Sequence, residues 1–298
     1  MKLKIGTRKS KLALWQSNLV AKKLNEFGVQ TELIEIESFG DKEQDLPLHK
    51  FNDKGVFTKA LDDALLSGKI DLAVHSLKDV PTIFHDGLEL SAVLERANPI
   101  DVLVKPLSDS DENSPRIIAT GSIRRAAFWK NRYPEDKLVD LRGNVPTRLN
   151  KVDTNKWSGA VFAHAGLDRL GLNKRISEEL VWMLPAPSQG AIGIVVNSTS
   201  AHKKIIERLD HQETRICVDI ERAFLRKLDA GCSSPVGALA KVYGDTVKFE
   251  GAVLSVDGKE RVDIKKDIAL EEATELNGSI LAEEVIKMGA FRILNEIQ

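Results

Sequence analysis

Cysteine is nearly absent from this chain: 298 residues contain only Cys217 and Cys232. Two thiols exclude a disulfide-stapled scaffold and a four-cysteine zinc site, so each needs its own account. The six histidines lack HExxH or CxxC partners, and no metal centre is expected. Long apolar runs are missing too. Stretches such as Ala191-Ile192-Gly193-Ile194-Val195-Val196 are strand-length, far below the roughly 20 residues of a membrane helix. The opening MKLKIGTRKSKLAL reaches charge before any apolar run, which is neither a signal peptide nor an anchor, so a cytoplasmic protein that does not engage a membrane is expected. Nor is there a surplus of one charge sign. A net charge of −1 argues against a surface that neutralises many phosphates, and Arg124-Arg125 with Phe128 and Trp129 nearby is too local to suggest nucleic acid.

What is present describes a soluble globular protein: 42% hydrophobic and 29% charged residues, in a chain longer than one compact core usually runs. Leu3 to Gly6 reads as a strand, and Ser10 as the cap of a helix carrying Leu12, Trp15, Leu19, Val20, Leu24 and Phe27 at helical spacing, with Gly28 ending it. Ile34 to Glu37 alternates as a strand, Phe57 to Leu66 reads as a helix, and Ile70 to His75 as a buried strand. The alternation restarts: strand Arg116 to Thr120, helix from Ser122, strand Lys137 to Leu141, helix around Thr147, strand Gly159 to Ala163. The last third changes character, with helices at His202 to Leu209 and Thr214 to Leu228, strands Val236 to Tyr243 and Thr246 to Val256, and a helix from Ser279 to Ile297. Gly244-Asp245 and Asp257-Gly258 are hairpin signals. The expected class is α/β: two α/β units followed by an α+β unit.

In open α/β sheets ligands bind beyond the carboxyl ends of strands. Here those positions are polar and cationic: Thr7-Arg8-Lys9-Ser10, then His75-Ser76-Leu77-Lys78-Asp79, then Thr120, Ser122, Arg124 and Arg125, then Arg142-Gly143-Asn144, Arg148 and Arg169. Arginine's planar fork suits carboxylates, so the set points to a polycarboxylate ligand, although any one of them taken singly could be an ordinary surface charge. Asp79 puts one carboxylate among these cations, where acid/base or electrostatic work is done; ahead of Val80-Pro81 it also suits a turn. Cys217 shares helical spacing with Ile220, Phe224 and Leu228 and reads as a core thiol. Cys232, in the glycine- and serine-rich stretch Asp229 to Pro235, is either an accessible, ionisable thiol or an incidental loop residue.

Taken together, these stretches resemble the hydroxymethylbilane synthases, also called porphobilinogen deaminases. The resemblance runs through GTRKSKLALWQ (6–16), DKGVFTK (53–59), AVHSLKDVPT (73–82), TGSIRR (120–125), LRGNVPTRL (141–149), AGLDRLG (165–171), LPAPSQGAIGI (184–194) and AGCSSPVGA (230–238), in the family's order over nearly the whole chain. It implies two domains like those of periplasmic binding proteins and a third carrying a cofactor cysteine. Domain 1 would comprise 1–94 and 189–207, domain 2 95–188 and domain 3 208–298. It further implies a monomer that links four porphobilinogen molecules on a dipyrromethane cofactor bound through a thioether to Cys232.

By the same resemblance Asp79 is the catalytic carboxylate, stabilising the cation left as ammonia departs. Arg8, Ser10, Lys54, Phe57, Ser76, Lys78, Thr120, Ser122, Arg124, Arg125, Arg142, Arg148, Arg169 and Gln189 match cofactor- and substrate-binding positions, and Lys50 with Lys54 belong to a segment over the cleft. The chain departs from the family pattern at Phe51-Asn52-Asp53, at Ser188 where glycine precedes the glutamine, and at Ser233-Ser234. A rival expectation, a non-enzymatic small-anion receptor of similar fold, calls for an export signal and gives Cys232 no task.

Overall fold

The computed structural model describes residues 2–37, 58–107, 115–230 and 234–295. Its first sheet holds β1 (Lys2–Thr7), β2 (Gln30–Glu35), β3 (Leu72–Ser76), β4 (Leu88–Val93) and β10 (Ile192–Asn197), in the order β2-β1-β3-β10-β4. Strands β1, β2 and β3 are parallel, and β10 runs antiparallel between β3 and β4. Helix α1 (Lys11–Glu26) connects β1 to β2, and α2 (Lys59–Leu66) precedes β3. Leu3, Ile5, Leu72, Val74, Ile192 and Ile194 alternate onto one buried face under Val20 and Leu24 of α1, the period-2 pattern meeting the helical one. The second strand forms earlier than Ile34: Gly28, at φ +76, closes α1, and pairing with β1 starts two residues later, at Gln30.

The second sheet repeats this plan. It contains β5 (Asp101–Val104), β6 (Ile117–Ala119), β7 (Lys137–Val139), β8 (Gly159–Ala163) and β9 (Glu178–Glu179), in the order β7-β6-β8-β5-β9. Strands β6, β7 and β8 are parallel, and β5 is the antiparallel strand between β8 and β9. Helices α3 (Ile123–Arg132), α4 (Val145–Thr154) and α5 (His164–Asp168) follow β6, β7 and β8. Each sheet thus takes its antiparallel strand from the chain just after a crossing, β5 on the way out of the first sheet and β10 on the way back. The two crossing segments lie side by side. Ala97 N–H donates to the Gly190 carbonyl over 3.2 Å. Gly190 sits at φ +89, and a Cβ there would stand 2.5 Å from the Ala97 carbonyl oxygen, so only glycine allows the approach.

After the short α6 (Lys203–Ile206) comes α7 (Gln212–Lys227), which packs on a three-stranded antiparallel sheet of β11 (Val236–Tyr243), β12 (Thr246–Leu254) and β13 (Arg261–Ala269). Phe224 of α7 meets Phe249 of β12 with ring centroids 5.2 Å apart. Cys217 is buried in this core, as its spacing predicts, and burial pushes its thiol up to about 12. Strand β13 is absent from the sequence expectation, because only Ile264 and Ile268 in it are buried and an outer strand with so little apolar pattern gives a weak signal. The terminal helix is also not one piece. It starts at Glu275 on a Thr274–Asn277 capping box as α8 (Glu275–Val285), is broken where Gly289 adopts φ 106, and resumes as α9 (Phe291–Asn295).

Candidate active site

Because β1 and β3 are parallel, and β6, β7 and β8 likewise, the residues following these strands emerge at one edge of each sheet. Arg8 and Ser10 follow β1, Lys78 and Asp79 follow β3, and Thr120 with Ser122 follow β6. Arg142 follows β7, while Arg169 lies just past α5 beyond β8. Several small polar side chains in the expected set build the loops. Ser10 caps α1 by accepting from Ala13 N–H at 3.2 Å, and Ser122 caps α3 by accepting from Arg125 N–H. Thr120 Oγ1 accepts from Ser122 N–H, and Ser76 Oγ accepts from buried Gln16 at 2.8 Å. Each fixes the direction in which its neighbouring cation leaves the sheet.

The two edges face each other. Asp79 ends a 3-10 turn, Leu77–Asp79, at the tip of β3. Its carboxylate bears electrostatically on Lys78 beside it and on Arg148 of α4 in the second domain. Burial pushes the Lys78 ammonium down to about 8; Arg125 and Arg124 add to this, while Asp79 and Asp101 oppose it. Burial likewise brings Arg148 down to about 10, helped by the like charges of Arg125 and Arg142, and Arg148 Nε donates to the Gly143 carbonyl at 2.7 Å. Arg169 is 8% exposed, also lowered to about 10 by burial, and donates to the Gly190 carbonyl at 2.6 Å. Its guanidinium stands 5.7 Å from the Trp15 ring of α1, across the cleft.

Beneath these lies a group that the sequence pattern does not single out. Asp101, the first residue of β5, is fully buried, with Oδ1 2.8 Å from Arg125 Nη2 and Oδ2 2.7 Å from Arg124 Nη2. Arg124 also donates to the Leu184 carbonyl and Arg125 to the Val161 carbonyl. Burial alone would raise the Asp101 carboxyl; the two guanidiniums and Gln189 outweigh it and bring it to about 2. Gln189 donates from Nε2 to Asp101 Oδ1 at 2.9 Å and to the Pro99 carbonyl at 2.7 Å, which leaves its Oε1 to accept from Lys78 at 3.1 Å. Gln189 therefore ties Lys78 of the first domain to the Asp101 node of the second. A carboxylate directly before Val102-Leu103-Val104 is the signal that could have found it, since an acid leading a buried strand must be paired.

Ser188, at the departure from the family's glycine, holds φ 64, the region glycine favours, and its N–H donates to Glu221 Oε2 at 2.6 Å. Glu221 is itself fully buried and paired at 2.6 Å with Arg96 of the outgoing crossing. His75 is buried at the end of β3, its imidazole lowered to about 4 by burial and then by Arg8. Cys232, Lys50, Lys54 and Phe57 lie outside the described residues. Among the described residues no group of three histidine, cysteine or acidic side chains is placed to hold a metal ion, and no helix is long and apolar enough to cross a membrane.

Among the described residues, Lys78, Arg124, Arg125, Arg142 and Arg148 gather about the carboxylates of Asp79, Asp101 and Asp140. Cations that depress one another's proton affinity in a half-buried cleft are suited to a ligand with several carboxylates. A dipyrromethane carries two carboxylates per ring, and the cations of Lys78, Arg142 and Arg148 are of the kind that would suit such a group.

Comparison with known proteins identifies the family. Residues 3–205 match the family model described as porphobilinogen deaminase, dipyromethane cofactor binding domain, and residues 215–287 the model of the porphobilinogen deaminase C-terminal domain. The porphobilinogen deaminase of Pelotomaculum thermopropionicum is 41% identical over 97% of this chain and 95% of that protein. The one from Desulfitobacterium hafniense is 42% identical over 99% of this chain and 97% of its own length. Among solved structures, the chain is similar to the periplasmic VFT2 domain of Bordetella pertussis BvgS, at 16% identity over 70% of this chain and 85% of that one, with a TM-score of 0.41. Matched by both family models and by relatives aligned over nearly their full length, the chain belongs to the porphobilinogen deaminase family.

Proposed function

We propose that this chain is a transferase that condenses four porphobilinogen molecules head to tail, with loss of ammonia at each addition, and releases the linear tetrapyrrole by hydrolysis. The observation that carries this reading is the meeting of Lys78 and Asp79 from one sheet edge with Arg142 and Arg148 from the other. The dipyrromethane, joined through a thioether to Cys232, supplies the free pyrrole position to which substrate rings are added. Lys78, Arg142 and Arg148, with Arg8 and Arg169 at the cleft margins, bind the acetate and propionate groups of the rings. Arg124 and Arg125, committed to Asp101, sit one layer deeper and carry the positive field from below. Ser10, Ser76, Thr120, Ser122 and Gln189 hold the loops that present these cations.

Asp79 accepts a hydrogen bond from a pyrrole N–H and places its negative charge beside the substrate's aminomethyl carbon. When the C–N bond breaks, ammonia leaves with the bonding pair, and the carboxylate stabilises the carbon left cationic. One preorganised partner of this kind is worth roughly 3–4 kcal/mol. Lys50, Lys54 and Phe57, outside the described residues, keep the roles that the family resemblance implies for them. The division at 1–94 with 189–207, 95–188 and 208–298 is supported by the sheet memberships, and we place the enzyme in the cytoplasm as a monomer that binds neither membrane nor nucleic acid. The rival reading as an anion receptor leaves Asp79, aimed into the cation cluster, without work.

The test is the intact mass of the denatured protein. It should exceed the sequence mass by two porphobilinogens less two ammonia molecules; Cys232→Ser should lose that increment, and Cys217→Ser, whose thiol is buried, should keep it. An active enzyme with unmodified Cys232 would overturn the assignment.

A further inference from the structure

Beyond Asp79 the backbone is unusually constrained. Val80 is extended, at φ −87 and ψ 128, as a residue before proline must be, and the Pro81 ring sets its own φ. The carbonyls of these two residues therefore form a stiff pair of acceptors directly attached to the turn that presents the carboxylate. One side chain takes both. Arg222 of α7 donates from Nη1 to the Val80 carbonyl at 3.1 Å and from Nη2 to the Pro81 carbonyl at 2.6 Å, across 142 and 141 residues of sequence. It is 6% exposed and lies 5.4 Å from the Phe84 ring. Next to it on the same helix, Glu221 takes Arg96 and the Ser188 N–H. Helix α7 thus grips both the Asp79 loop and the two crossings.

We propose that Arg222 is a positioning residue for Asp79: it clamps the two carbonyls that follow the carboxylate and holds it at a fixed height over the cleft. The inference rests on the reading of Asp79 as the carboxylate that stabilises the developing cation. A planar fork reaches two carbonyls at once, where an ammonium can serve only one of them at this spacing. Of the cations assigned to the substrate's carboxylates only Lys78 shares this turn, while Arg8, Arg142, Arg148 and Arg169 stand on other elements, so displacing the Asp79 turn weakens chemistry far more than binding. A misplacement of about 1 Å costs on the order of a hundredfold in rate.

The experiment is a double-mutant cycle on cofactor-loaded enzyme, with loading verified by intact mass and the deamination rate read in single turnover. Arg222→Gln should slow deamination roughly 10- to 100-fold while leaving substrate affinity within about threefold, and Arg222→Lys should recover part of the rate. In an Asp79→Asn background the same Arg222→Gln change should cost less than about twofold, because the group it positions is gone. Melting temperatures should fall equally in both backgrounds, which separates positioning from stability. Equal rate losses in both backgrounds, a loss that falls on affinity, or an Arg222→Gln enzyme deaminating within threefold of wild type would each overturn the clamp. If Arg222→Gln does not fold, Arg222→Lys carries the same cycle. Wild-type deamination by Asp79→Asn would instead overturn the reading of Asp79 itself, and the clamp with it.

Discussion

Replacing Asp101 by Asn should destabilise the second domain more than any change at the cleft surface. The side chain is fully buried, and its two partners are 4% and 7% exposed, so solvent screens none of the three charges. Asn keeps the shape and the oxygen facing Arg125 and Gln189, but it leaves two buried guanidiniums without a counter-charge, which costs about 3–5 kcal/mol. Titration supplies a separate measure. The carboxyl lies at about 2 against an ordinary 3.8, a depression worth roughly 2–3 kcal/mol. The folded value is below the unfolded one, so this stabilisation is complete above about pH 4 and is lost as pH falls from about 4 toward 2.

Urea unfolding followed by tryptophan fluorescence reports the effect, since three of the four tryptophans, Trp129, Trp157 and Trp182, lie in the second domain. With a slope of about 2 kcal/mol per molar urea, the midpoint of Asp101→Asn should drop by about 1.5–2.5 M at pH 7, and the wild-type loss of stability between pH 4 and 2 should flatten. Changing Arg125 to Met in the same chain should restore part of the loss, because apolar replacement removes the uncompensated charge. A midpoint for Asp101→Asn within about 0.3 M of wild type would refute the node.

Two further outcomes concern the cleft. Asp79→Asn should fold normally yet release ammonia at least about a hundredfold more slowly in single turnover, with Asp79→Glu retaining more activity; near-wild-type deamination by folded Asp79→Asn would make the carboxylate structural. Because Lys78 titrates at about 8, its charge and its hold on substrate carboxylates should fade as pH rises through that value, giving kcat/KM a descending limb there. Lys78→Arg, charged throughout, should remove the limb; an unchanged profile would show that another group titrates.

The periodic elements that frame the site are legible directly from residues. Leu72 to Ser76, Gly159 to Ala163 and Ser10 with α1 carry local signals, short buried apolar runs and a cap, and the polar residues after each strand mark the cleft edge in the sequence itself. Arg124 and Arg125 likewise fall at a strand end by pattern alone, yet nothing near them in the chain points to their partner. Asp101 lies more than twenty residues away and is joined to them only when β5 slots beside β8. The same is true of Gln189: its resemblance to a ligand-contact position carries no hint that it bridges Lys78 and Asp101.

What the sequence determined alone is whatever neighbouring residues decide together: the α/β alternation, the turn that ends in Asp79, the burial of Cys217 at helical spacing, and the supply of cations at strand ends. Only the tertiary structure decided which strand completes each sheet, how the crossings at Ala97 and Gly190 touch, and which buried charges share a counter-ion. It also decided that Arg222, 142 residues beyond Val80, holds the loop of the carboxylate. The physical reason is that hydrophobic period, capping and turn chemistry act over a few residues. A buried charge, by contrast, is satisfied by whatever partner the folded chain brings within about 3 Å, and no local pattern records that partner.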